Sequence, residues 1–164
     1  MPLFLNLWRL KMALNDTDYL IGLQDTATQT VLANGLIQVG DVYRRYCRKN
    51  RCGTRVYDNT STGVTLNWSG VYKVTATLVG TGTEAGDVTV QLFANGQPIL
   101  GAISTETITT PDTEFRTFVI DRFVLVNDAE VLGFNNTLAT TLTLENTGVE
   151  ATFTNVVLDI VKVL

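Results

Sequence analysis

Alternating apolar and polar residues, with a period of two, are the feature that most constrains the fold of this chain. The pattern begins near Leu36 and is clearest in GVYKVTATLV at residues 70–79, where every even-numbered residue from 72 to 78 is apolar. A period of two is that of a β-strand, because successive side chains point to opposite faces of a sheet. The body of the chain is therefore predicted to be made of strands.

Turn residues divide this pattern into short segments. Residues 87–100 (DVTVQLFANGQPIL) predict two strands joined by a turn at Asn95-Gly96, a pair that favours tight hairpins. Residues 114–126, 141–146 and 151–164 predict further strands. About eight to ten short strands and no convincing helix in this part of the chain indicate an all-β fold, an antiparallel β-sandwich or jelly roll.

The first 35 residues have less β character, and we expect them to form an N-terminal arm, extended or partly helical, before a domain at 36–164. Helical spacing places the leucines of its first part on one face, and aromatic residues flank that face; the residues expected to anchor the arm are Leu3, Leu7, Trp8, Leu10 and Tyr19. A start at Met12 is an alternative, because MALNDTDYLIGLQD also resembles a beginning. Large apolar side chains of this kind are expected to be covered by a protein surface.

Composition argues against several classes of function. The chain contains no histidine, which removes the commonest general base and metal ligand, so catalytic residues, a cofactor and a metal site are not expected. The net charge of −4 argues against binding to nucleic acid. The sequence has no run of ~18 apolar residues, so no membrane span is predicted. We therefore expect a protein that is not an enzyme.

Positive charge is nevertheless concentrated in one segment. Residues 44–55 hold six of the twelve Lys and Arg residues, together with both cysteines. Cys47 and Cys52 enclose four polar residues, as in a hairpin loop, so we expect them on adjacent strands or on either side of a turn, within bridging reach. A disulfide and a pair of reduced cysteines both remain compatible with this spacing.

Arg44 and Arg45 are neighbours on a predicted strand, so their side chains should point to opposite faces. One of them would then face the interior or a subunit seam, where an arginine needs a partner. Because residues 56–164 are strongly acidic, pairing with carboxylates between strands or between subunits is favoured over contact with phosphate.

Four segments, in order, resemble one known group of domains. They are VGDVYRRY, GVTLNWSGVYKVTATLV, AGDVTVQLFANGQPILGA and TLTLENTGVEATFTNVVLDIVKVL, and together they span roughly residues 37–164. The chain thus resembles the tumour-necrosis-factor-like (TNF-like) jelly-roll domains of bacteriophage and prophage virion proteins, which have relatives on spore surfaces. The RKNRC segment after Cys47 departs from the pattern of that group.

The resemblance implies a homotrimer around a threefold axis that serves a structural or adhesive role without catalysis. It also implies that strand 70–79 and the last strand line the axis, with Tyr72, Val74, Leu78, Phe153 and Val157 as candidate contacts. The leading expectation is a virion structural protein, a capsid-decoration, head-fibre or tail-associated knob that binds other virion proteins through its arm. The alternatives are a module that binds a host receptor or glycan and a bacterial spore or cell-surface protein.

Overall fold

The structure, a computed structural model, describes residues 19–46, 56–126 and 139–164. Twelve strands account for most of them, in keeping with the period-two pattern of the sequence. In chain order they are β1 (Tyr19–Asp25), β2 (Gln29–Val31), β3 (Gly35–Ile37), β4 (Asp41–Tyr46), β5 (Tyr57–Thr60), β6 (Gly63–Leu66), β7 (Gly70–Gly82), β8 (Gly86–Ala94), β9 (Gln97–Ile108), β10 (Arg116–Val126), β11 (Thr140–Asn146) and β12 (Ala151–Lys162).

The strands form two antiparallel sheets. Sheet A has the order β10-β7-β12-β1-β4, with β2 also paired to β12. Sheet B has the order β5-β6-β11-β8-β9, with β3 also paired to β11. Most neighbours in these sheets are distant in sequence, as in a jelly roll, so the predicted antiparallel sandwich is confirmed.

Local sequence determines the hairpins. The strands β8 and β9 are joined by Asn95 and Gly96 alone, whose φ angles are 49° and 74°. Two positive φ angles define the hairpin turn that asparagine followed by glycine adopts most readily. The turn from β11 to β12 depends instead on Asn146, whose buried amide donates to the carbonyl oxygens of Val31 (3.0 Å) and Val149 (2.8 Å). That amide also joins the turn to β2.

The hydrophobic core lies between the sheets and is built from the inward side chains of both. On β7 and β12 the inward residues alternate with half-buried ones, which reproduces the period seen in the sequence. Within the core, the rings of Phe118 and Phe153 meet edge to face with their centroids 6.0 Å apart. Packing of this kind is the main source of stability of a sandwich.

The expected boundary of the arm is wrong for residues 19–35. β1 lies inside sheet A, paired with β12 on one side and β4 on the other. Tyr19 is buried and belongs to the core cluster, so it does not act as an exposed anchor. Strand β1 was missed because YLIGLQD is mostly apolar without clear alternation, as is typical of a strand whose two edges are both paired.

Candidate functional site

The side chains expected to line a subunit interface lie mostly inside the sandwich. Tyr72, Val74, Leu78 and Phe153 are completely buried within one chain, so they cannot contact a second copy. The apolar face of β7 points towards sheet B and forms part of the core between the two sheets. Val157 differs: it is half-buried on the opposite side of sheet A and remains available for an interface.

That opposite side, the outer face of sheet A, is organised in rows that run across five strands. Cross-strand pairing fixes which residues share a row. Read from β4 to β10, the three complete rows are Tyr46–Leu20–Val161–Lys73–Phe123, Arg44–Gly22–Asp159–Thr75–Asp121 and Asp41–Gln24–Val157–Thr77–Val119. Each row therefore begins and ends at an edge of the sheet, with β4 at one edge and β10 at the other.

The β10 edge of this face is apolar apart from Asp121. Val119, Phe123 and Leu125 are exposed to 53%, 66% and 64% and follow one another at every second or fourth position. Four inward residues of β10, Phe118, Ile120, Val124 and Val126, are apolar and buried, whereas Arg122 between them reaches across to sheet B. An edge strand with large apolar side chains exposed on its outer face, in addition to those in the core, marks a candidate interaction surface. The segment FRTFVIDRFVLV, which has apolar residues at both odd and even positions, is typical of such a strand.

The β4 edge presents tyrosines, of which Tyr43 is held in place. A β-bulge makes Tyr43 an extra residue between Val42 and Arg44. Its ring lies over Gly22, where an added Cβ would meet ring carbons at 2.8 Å, and its hydroxyl donates to Asp159 Oδ1 at 2.6 Å. This hydrogen bond to Asp159, with a smaller effect of desolvation, raises the pKa of the Tyr43 phenol above its ordinary value. The ring is still 51% exposed, so Tyr43 is an ordered aromatic surface open to a partner.

Arg44 and Arg45 point to opposite sides, as expected. Arg44 pairs with Gly22 across the ladder and so lies on the outer face of sheet A. Arg45 reaches across the side of the sandwich, where its Nη2 donates to Asn59 Oδ1 of β5 at 3.2 Å. Within the described part of the chain, the hydrogen-bond partner of Arg45 is thus an amide and not the carboxylate that was expected.

The other side of the sandwich is joined in a similar way, where β9 and β10 meet. The amide N–H of Val119 donates to Ser104 Oγ at 3.3 Å, and Arg122 Nε donates to the carbonyl oxygen of Gly101 at 2.6 Å. The second bond stabilises an irregularity in β9 that leaves Leu100 94% exposed. Side chains therefore link the two sheets along both sides.

One end of the sandwich gathers buried aromatic residues. The Tyr57 hydroxyl donates to the carbonyl oxygen of Tyr19 at 2.9 Å, and the Tyr72 hydroxyl donates to that of Trp68 at 2.7 Å. Burial raises the pKa of the Tyr57 phenol. Residues 1–18 join the chain at this end, at the first residue of β1. Segments 47–55 and 127–138 join it there too, since β4 and β10 end, and β5 and β11 begin, on this side.

Several predicted residues fall outside the described ranges. These are the anchoring residues Leu3, Leu7, Trp8 and Leu10 and the two cysteines, Cys47 and Cys52. The expected anchoring role and the expected closeness of the cysteines therefore stay predictions.

The opposite end carries one strongly hydrogen-bonded carboxylate. Glu114 Oε2 accepts from the amides of Thr109 (2.8 Å) and Thr110 (3.0 Å) and from the Thr109 hydroxyl (2.9 Å), and Arg116 pairs with Oε1. These bonds, led by the two amides, lower the pKa of Glu114 to about 2. The hydrogen bonds of the Glu114 carboxylate thus stabilise the turn between β9 and β10.

Metal binding and membrane insertion were the other roles considered for the described residues. In 19–46, 56–126 and 139–164, His, Cys, Asp and Glu form no group of three or more that could hold a metal ion. The described residues include no helix that is long and apolar enough to cross a membrane.

Comparison with known proteins identifies the architecture. No protein-family model matches the sequence, and no curated protein matches it. Among solved structures, the globular domain of zebrafish complement 1qA aligns with a TM-score of 0.56 at 7% identity, over 89% of this chain and 98% of that one.

Two other solved structures align over a similar extent. Eiger TNF from S. frugiperda aligns with a TM-score of 0.59 at 11% identity, over 89% of this chain and 91% of that one. The PRD1 vertex protein P5 aligns with a TM-score of 0.53 at 15% identity, over 90% and 98%. Likeness at such low identity establishes the fold alone. The described chain has the TNF-like jelly-roll fold.

Proposed function

We propose that this protein is a homotrimeric structural component of a bacteriophage particle, without catalytic activity, that attaches to other virion proteins through its N-terminal residues. The observation that carries the proposal is the outer face of sheet A, whose two edges both expose large apolar or aromatic side chains. A solitary domain has little reason to present such a face.

The two edges differ from each other, which bears on the symmetry of the assembly. β10 presents Val119, Phe123 and Leu125, whereas β4 presents Tyr43 and Tyr46. Contact between two unlike patches is heterologous and closes into a ring when the rotation allows it. The resemblance of the sequence to trimeric virion domains sets the expected ring size at three.

Two observations support placing the assembly on a phage particle. The sequence resembles domains of virion proteins, and the fold is shared with the PRD1 vertex protein P5 at 15% identity. Residues 1–18 precede β1, which begins at the aromatic end of the sandwich, and we expect Leu3, Leu7, Trp8 and Leu10 of this segment to bind a capsid or tail component. Covering one such side chain contributes roughly 1.5–3 kcal/mol.

The ring is tested by measuring molar mass. Light scattering of the purified protein at micromolar concentration should give three times the chain mass of 18.0 kDa. Phe123→Ala and Leu125→Ala should shift the mass towards that of the single chain. A wild-type mass of one chain at the same concentration would exclude the ring.

The attachment is tested by deletion. Residues 2–18 are removed, because a longer deletion to Thr30 would also remove β1 and most of β2 and prevent folding. The shortened protein, produced during infection, should form trimers that are absent from purified particles. A matched variant with Leu3, Leu7 and Leu10 changed to Ser keeps the length and charge and should fail in the same way. Loading of either variant at the wild-type level would show that the anchor lies elsewhere.

A further inference from the structure

We propose that Arg44 of one subunit pairs with Asp121 of the next, so that this pair sets the register of the ring; the proposal rests on the proposed homotrimer. Both residues lie on the outer face of sheet A, at its two opposite edges. A ring that closes through these edges brings the β4 edge of one copy against the β10 edge of its neighbour.

The register of the sheet places the two charges at the same height. Arg44 opposes Gly22, Gly22 opposes Asp159, Asp159 opposes Thr75, and Thr75 opposes Asp121. Arginine and aspartate are thus the first and last members of one row. When copies meet edge to edge without a shift, every interface joins a positive and a negative group.

The adjoining row is complementary as well. It begins with Tyr46 on β4 and ends with Phe123 on β10, both of them exposed. Aromatic pairs of this kind contribute about 0.5–1.5 kcal/mol beyond the area they bury. The same docking that pairs the charges therefore pairs two aromatic rings, whereas a slip by one row would place Tyr46 against a carboxylate.

Tyr43 gives the β4 edge a preformed shape. Its ring is fixed over Gly22 by the hydrogen bond to Asp159 and adjoins Arg44. An ordered aromatic side chain loses little conformational freedom on binding, so more of the contact energy is retained.

Asp121 already has a partner in its own chain, Lys73 Nζ at 3.5 Å, but both side chains are about half exposed. Exposed pairs of this kind contribute about 0.2–1 kcal/mol. A carboxylate has two oxygens and can accept from a lysine and an arginine together. The internal pair therefore does not prevent the proposed one, and it orients the carboxylate at the edge.

Charge reversal tests the pairing. Arg44→Glu and Asp121→Lys are made singly and together, and the dissociation of the trimer is followed by analytical ultracentrifugation over a range of concentrations. Each single reversal should raise the midpoint concentration by about tenfold or more, because like charges then face each other at every interface. The double variant should return to within about threefold of the wild type, since opposite charges meet again.

Glu145→Lys is the matched control, because it makes the same change of charge as Asp121→Lys on the outer face of sheet B, on strand β11. It should leave the midpoint unchanged. Circular dichroism checks that each variant folds. If a charge-reversal variant does not fold, the milder substitutions Arg44→Gln and Asp121→Asn replace it.

The outcomes separate this pairing from the trimer itself. A wild-type trimer whose single variants are weakened but whose double variant is not restored would overturn the pairing and leave the trimer standing. A wild-type trimer that is insensitive to both single reversals would do the same. A monomeric wild type would overturn both.

Discussion

Two phenylalanines on opposite sides of sheet A should respond to truncation in opposite ways. Phe153 on β12 is completely buried and packs edge to face against Phe118, while Phe123 on β10 is exposed on the outer face. The expected contrast follows from position alone, because the two substitutions, Phe153→Ala and Phe123→Ala, are chemically identical.

The magnitudes follow from the surroundings of each ring. Phe153 packs closely against Gly80, where an added Cβ would lie 2.6 Å from its Cδ1, so truncation to Ala removes this contact and leaves a cavity between the sheets. Buried Phe→Ala substitutions cost about 3–5 kcal/mol, and the loss of the ring pair with Phe118 favours about 4 kcal/mol here. Phe123 opposes Lys73 across the ladder, a pairing that contributes less than about 1 kcal/mol.

Urea unfolding followed by far-ultraviolet circular dichroism measures the first effect, and light scattering measures the second. Because a trimer couples apparent stability to concentration, unfolding is recorded at several protein concentrations. Phe153→Ala should lower the free energy of unfolding by about 4 kcal/mol without changing the assembly of the folded fraction. Phe123→Ala should weaken the trimer and lower the free energy of unfolding of the single chain by less than about 1 kcal/mol. A stable Phe153→Ala protein that no longer assembles would refute the assignment of this ring to the core.

Three further changes probe single contacts. Tyr43→Phe removes the hydroxyl that donates to Asp159; it should cost under about 1 kcal/mol, because the pair is exposed, and it should abolish one tyrosine that ionises above its ordinary pKa in an absorbance titration. For Glu114, a folded-state pKa of about 2, against an ordinary 4.5, means that its stabilising effect is complete above pH 4.5 and is lost as the pH falls towards 2. Thermal unfolding between pH 2 and 6 should therefore depend less on pH in Glu114→Gln, and an unchanged profile would contradict this role. Gly40→Ala should destabilise by at least ~1–2 kcal/mol in urea unfolding, because φ is +74° there and a Cβ would lie 2.2 Å from the carbonyl oxygen of Gln24.

Periodicity in the sequence was sufficient to predict the all-β class and the long strands after residue 69. The alternation at residues 70–79 became β7, and Asn95-Gly96 formed the turn between β8 and β9. Both signals are local, since they depend on neighbouring residues and on backbone angles. The fold was therefore accessible without any knowledge of partners.

Periodicity did not reveal what covers the apolar face of each strand. Alternation separates Tyr72, Val74 and Leu78 from their neighbours, but it does not tell whether they face a second sheet or a second subunit. That depends on how much apolar surface the core requires, which is a property of the packed sandwich. The more informative signal was a strand with apolar residues on both faces, and β10 is such a strand, with Phe118 inside and Phe123 outside.

The boundary of the arm was misplaced for a related reason. Residues 19–25 pair with β4 and β12, and the pairing with β12 connects segments more than a hundred residues apart. No local pattern encodes such a contact, so a short apolar segment near the N-terminus resembled an anchor.

The links along the two sides of the sandwich bear on aggregation. Edge strands with free backbone groups can act as templates on which another chain adds a strand. Here the Val119 amide at the β10 edge donates a hydrogen bond to the Ser104 hydroxyl. At the other side, the hydrogen bond from Arg45 to Asn59 joins β4 and β5. Copies should therefore meet through side chains and not by extending a continuous sheet, and the amide I infrared band should stay the same when the subunits assemble.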